Sequence, residues 1–194
     1  MVRRQTKSGA SSTARRHGSD LSALEPIDGT SFRHPYGLLY IWLTIGGVWL
    51  FSLLPWRLWA PAPDLLLVVL VFWSLNEPRR INMPVAFAFG LLMDVHDGAI
   101  LGGQALTYTL ASYGAVALHR RLQRFNALVQ AIHLLPVFIV AQAAGRFVLA
   151  WLAGDWAGWG WLWSAILMAL LWPLADLLLS IPQRRYDEPD SGAA

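Results

Sequence analysis

Cysteine is absent from the 194-residue chain, which excludes disulfide frameworks, thiolate metal sites, iron–sulfur clusters and cysteine nucleophiles. Charge is scarce as well: 14% of residues are charged against 56% hydrophobic, with a mean hydropathy of +0.44. A soluble domain does not have that balance, and the apolar residues come in long runs instead of amphipathic stripes, so lipid is the expected solvent. Hydrolytic motifs are missing too. There is no HExxH pair, no phosphate-cradling glycine loop and no nucleophile elbow. Serines within the apolar runs (Ser52, Ser74, Ser112, Ser164, Ser180) have no plausible base beside them, and the adjacent His96 and Asp97 make no triad. An enzyme is therefore not expected.

What is present divides the chain into three domains. Residues 1 to about 33 are rich in Ser, Gly, Arg and Thr and carry almost no apolar cluster, which predicts a disordered basic tail. Its first nineteen residues, Arg- and Ser-rich without an acid, also fit an organelle transit peptide, whereas a secretory signal is not expected, because the first apolar run starts only near Gly37 and no small-residue cleavage site follows it. The membrane domain is expected over 34–186, and residues 187–194 form a second disordered end. Within 34–186 the composition predicts an all-α polytopic protein of about six spans. They are Gly37–Trp56, Pro63–Glu77, Pro84–Val95, Ala99–Leu118, Ala127–Gly154 and Gly160–Ile181. Pro63 and Asp64 suit the first turn of the second span. A tight turn at His96, Asp97 and Gly98 would make the third and fourth a helical hairpin.

Basic residues set the orientation. Under this division six of the fifteen Lys and Arg fall in the N-terminal tail, two after span two, three after span four (Arg120, Arg121, Arg124) and two after span six (Arg184, Arg185). Thirteen thus share one side, which the positive-inside rule makes cytoplasmic along with both termini. Arg57 lies on the opposite side and Arg146 within a span. Trp56, Trp59, Trp151, Trp156, Trp159, Trp161 and Trp163 all map to the predicted outer face, where an interfacial belt belongs. The tail's charges read as a topogenic signal that also touches anionic lipid. No aromatics interleave with them, so nucleic-acid binding is not expected.

The stretch Gly90-Leu-Leu-Met-Asp94-Val-His-Asp-Gly98-Ala-Ile-Leu-Gly102-Gly103 places small or acidic residues every four positions. On a continuous helix Gly90, Asp94, Gly98 and Gly102 would share one face, for helix packing or for contact with a partner. A break near Gly98 would instead use its glycine for a turn. Asp94 and Arg146 lie at similar predicted depth, and an unpaired charge there is costly, so a buried ion pair between spans three and five is expected, unless Arg146 snorkels outward. Asp176 is an intramembrane acid with no cation at matching depth, either protonated or water-bridged, or a relay or interface acid. His133 stands alone without a second ligand at helical spacing, so neither metal nor cofactor is expected.

Taken in order, Pro63-Asp-Leu-Leu-Leu-Val-Val-Leu-Val-Phe-Trp, Asn76-Glu-Pro78-Arg79, Gly90 to Asp94, Gly98, Leu101-Gly102, the Arg pair after span four and Trp172-Pro173 resemble the rod shape-determining MreD family over roughly 37–186. The resemblance implies a non-catalytic bacterial inner-membrane scaffold. It would bind MreC and through it the MreB filament and the wall synthase of the elongation complex. It also implies a fold similar to the six-helix substrate-binding subunits of energy-coupling-factor vitamin transporters. A vitamin-binding subunit of that fold is the alternative, but it would need a polar pocket open to the outside.

Overall fold

A computed structural model describes residues 37–54, 62–154, 156 and 158–186, with side chains through 181. The two predicted tails fall outside these residues, as do Trp56, Arg57, Trp59 and the side chains of Arg184 and Arg185. The described residues form six α-helices and no strand: α1 (Leu38–Ser52), α2 (Leu65–Asn76), α3 (Met83–His96), α4 (Gly103–Leu122), α5 (Ala127–Ala153) and α6 (Gly160–Tyr186). Each expected apolar run produced one helix, because Pro, Gly and charged residues interrupt the runs where helices must end.

The centre of the bundle is α2, which packs on α1, α4 and α6. Every residue from Leu66 to Leu75 is buried. That follows from a sequence apolar on all sides, since a helix without a polar face has no side to present to water. Asp64 caps it, its Oδ1 accepting from the Leu67 N–H at 3.2 Å. Trp73 is fully buried near its end, donating from Nε1 to Thr44 Oγ1 on α1 at 3.0 Å and meeting the Tyr40 ring edge-on at 5.9 Å. Phe72 faces Trp172 of α6 across 6.2 Å.

The outside of the bundle is the reverse of a soluble surface. Leu39 is 77% exposed, Ile132 69% and Leu170 69%, and dozens of square ångströms of hydrocarbon at each such residue call for lipid rather than water. α5 and α6 are long and apolar enough to cross a bilayer, yet only 22% and 33% of their apolar windows are buried, unlike the core helices of soluble proteins. Pro136 lies inside α5 and Pro173 inside α6, which membrane helices tolerate.

In lipid, helices gain little from burying apolar area against one another, so close approach of small residues and polar ties must hold them. α4 supplies both, and it packs on α2, α3 and α5. Its buried set is Gly103, Ala105, Thr107, Tyr108, Ala111, Ser112, Ala115 and Leu122. A Cβ on Gly145 of α5 would stand 2.0 Å from Thr107 Oγ1 and 2.7 Å from the Gly103 carbonyl, so α4 and α5 touch through their backbones at that level.

Candidate functional site

The glycine- and aspartate-bearing stretch forms the corner between α3 and α4. Asp97 ends α3 and Gly98 follows at φ +61°; the Ala99 N–H reaches back to the Asp94 carbonyl at 3.1 Å and the Gly98 N–H to the Val95 carbonyl at 3.3 Å. This paired closure with a left-handed glycine is the Schellman ending of a helix. The connection then runs over 97–102 before α4 begins, longer than the tight turn expected. Gly102, at φ +115°, opens α4 in a conformation that other residues rarely adopt, and it brings no side chain to cap the helix.

Asp94 does the capping from α3. It is fully buried, with Oδ2 accepting from the Gly102 N–H at 2.8 Å and the Ala105 N–H at 3.2 Å, and Oδ1 from the Gln104 N–H at 2.8 Å. Three of the four N–H groups that an α-helix leaves open at its start are thus satisfied by one carboxyl group. An acid there also faces the positive end of the α4 dipole. Gly90, one turn earlier, lets the helices meet: a Cβ on it would lie 2.4 Å from Ala105 Cα and 2.7 Å from Ala105 N. The four residues therefore do not share one continuous helical face. Gly90 and Asp94 lie on α3, and Gly98 and Gly102 shape the turn.

The expected ion pair between Asp94 and Arg146 does not form. Both Asp94 oxygens are taken by backbone N–H groups, and Arg146 has no ion-pair partner among the described residues. The reason is that a helix start offers an acid a set of positively polarised donors closer at hand than a guanidinium on another helix. Arg146 is instead half-buried in a groove with Ile100, Leu149, Ala153, Trp156 and Trp161. Asp176 is half-buried on α6 and has an interaction of its own. His133 is exposed, its Nδ1 2.8 Å from the Val129 carbonyl and its ring stacked on Phe125 at 5.5 Å. Among the described residues no group of His, Asp or Glu is placed to hold a metal.

Two polar ties were not foreseen. The Tyr108 hydroxyl, fully buried on α4, donates to Asp64 Oδ2 at 2.7 Å and so fastens the start of α2 to α4. At the other end of the same pair His119 Nδ1 meets the Leu75 carbonyl. Asp64 and Tyr108 are as far apart in sequence as Leu75 and His119, so α2 and α4 run parallel in register and are tied at both ends. The signal for the first was Asp64 itself, an acid at the edge of a run too apolar to leave it in lipid unpartnered. Tyr108 carried no such mark.

The Asp94 carboxylate, Asp64 Oδ2 and the Leu75 carbonyl each meet a donor of a neighbouring helix, so these groups tie helices together. The family model described as rod shape-determining protein MreD matches residues 36–181, so the chain belongs to that family and the resemblance read from its sequence is borne out. Members are membrane proteins that act in rod-shape determination. No solved structure matches the chain.

Proposed function

We propose that this MreD-family chain is a non-catalytic scaffold of the bacterial cell-elongation complex that binds MreC and links the MreB cytoskeleton to peptidoglycan synthesis. The carrying observation is the family match over 36–181, which takes in all of α1 to α5 and most of α6. The use of buried polar groups to brace helices is what a scaffold requires. In this reading the chain crosses the inner membrane six times, with 1–33 and 187–194 as cytoplasmic tails. Its six-helix domain, 34–186, is similar to the substrate-binding subunits of energy-coupling-factor transporters.

The helix lengths fit six crossings if protein stands in for part of the lipid. α2 has 12 residues and α3 has 14, or roughly 18 and 21 Å, against about 30 Å of hydrocarbon. α2 meets other helices on all sides, so its length has no bilayer thickness to match, and α3 crosses with local thinning. The α3–α4 corner is the candidate contact surface for the partner. Gly90, Asp94, Gly98 and Gly102 fix its shape, and its exposed Val95 and Leu101 are what a partner would touch.

One experiment tests shape and orientation together. Depleting the chain in a rod-shaped host should give round, widening cells. Resupplying it with a reporter fused after Arg185 should restore rods and show the activity pattern of a cytoplasmic fusion. Rods that persist under full depletion would refute the scaffold role, and a periplasmic reporter the six-span topology.

A further inference from the structure

The groove holding Arg146 is a feature that the scaffold reading leaves unused. It has a volume of about 250 Å³ and lies beside the last two turns of α5, closed by Ile100 from the α3–α4 turn and by Trp156 and Trp161. Arg146 is seven residues before the end of α5, roughly 10 Å along the axis. The same end carries exposed indoles, with Trp151 85% exposed and Trp159 and Trp163 also at the surface. Phe147, Trp156, Trp159 and Trp161 form a chain of ring contacts at 6.0, 5.7 and 6.2 Å. Indoles collect where hydrocarbon gives way to headgroups, so the groove opens at headgroup depth.

Two of its polar groups lack acceptors among the described residues. The Arg146 guanidinium has no ion pair among the described residues. The Trp161 Nε1–H is buried without an acceptor. A guanidinium in this position is costly alone, and a buried N–H without a partner adds to that cost. Both are donors, so what completes the site must be rich in acceptors, anionic, and attached to something apolar enough to lie against Ile100, Leu149 and Ala153.

We propose that this groove binds the phosphate of a membrane phospholipid, with Arg146 and the Trp161 Nε1–H as donors and an acyl chain along the apolar wall. The planar guanidinium matches two phosphate oxygens at once, and the indole N–H supplies a third contact. The site is independent of which protein the scaffold binds.

The test is native mass spectrometry of the full chain in mild detergent, titrated with phosphatidylglycerol. A one-to-one adduct is expected, weakened about tenfold by Arg146→Gln and about threefold by Trp161→Phe, which removes the N–H while keeping an aromatic ring in the groove. Arg146→Lys, which keeps the charge but not the paired donors, should fall between the native chain and Arg146→Gln, and diacylglycerol, which lacks the phosphate, should give no adduct. If Arg146→Gln does not fold, Trp161→Phe carries the test, and unchanged binding there overturns the proposal. So does equal binding of diacylglycerol, or inorganic phosphate binding as tightly as the lipid, which would mean an anion site without a lipid. Lipid binding indifferent to both substitutions, with loss of a co-purifying protein from Arg146→Gln, would assign the guanidinium to a protein carboxylate and also overturn it.

Discussion

Gly90→Val is expected to destabilise the chain by about 3 kcal/mol, read as a large fall in the midpoint of thermal unfolding in mild detergent. Replacing a helical glycine with Ala ordinarily gains about 1 kcal/mol in helix propensity. At Gly90 the added carbon would meet Ala105 Cα at 2.4 Å, the Ala105 nitrogen at 2.7 Å and the Gln104 carbonyl oxygen at 2.8 Å. All three are backbone atoms and cannot rotate aside, so α3 and α4 must separate and the overpacking cost outweighs the propensity gain. Gly90→Ala should therefore also destabilise, by about 1 kcal/mol net, and Val by more. Gly46 and Gly47 on α1 are the internal comparison, because a Cβ there meets nothing within 4 Å. Alanine at either should be neutral or slightly stabilising. Equal effects at positions 46 and 90 would show that the α3–α4 contact is not as close as described.

Asp94→Ala should cost a similar amount, about 3 kcal/mol, by leaving three N–H groups at the start of α4 without their acceptor. The loss is uneven. Ala105 is fully buried and its N–H would have nowhere to turn, whereas Gly102 and Gln104 are half-exposed and could recover water. Asp94→Asn keeps one acceptor oxygen but turns an amide N–H toward a donor, so it should fall between Ala and the native chain. Both can be read by thermal unfolding and by the amount of protein retained in membranes. An Asp94→Ala chain with a native midpoint would contradict the capping role. Were Asp94 held by Arg146 instead, Arg146→Ala would reproduce the Asp94→Ala loss, and the geometry predicts that it does not.

The helices were legible because lipid-facing and core-facing residues are both apolar, which leaves Pro, Gly and charge as clear punctuation. The place of the α3–α4 corner was legible for the same reason, from Gly90, Asp94, Gly98 and Gly102. Its construction was not. A four-residue spacing describes one face only while the helix lasts, and α3 ends at His96, so Gly98 and Gly102 take left-handed turn conformations instead. Asp94 reaches forward to the next helix, and a count of side-chain charges by depth overlooks backbone N–H groups as partners. That omission produced the expectation of a pair with Arg146. The ties from Asp64 to Tyr108 and from His119 to the Leu75 carbonyl depend on α2 lying parallel beside α4 at one register. No spacing along a single chain encodes that register, because α3 and two turns intervene.

The scaffold claim is tested most directly by purifying the full tagged chain from its host in mild detergent and identifying what accompanies it. The account predicts MreC together with proteins of wall elongation, recovered in smaller amount when Gly90→Val distorts the α3–α4 corner. Recovery of transporter ATPases and their coupling subunit, without MreC, would contradict it.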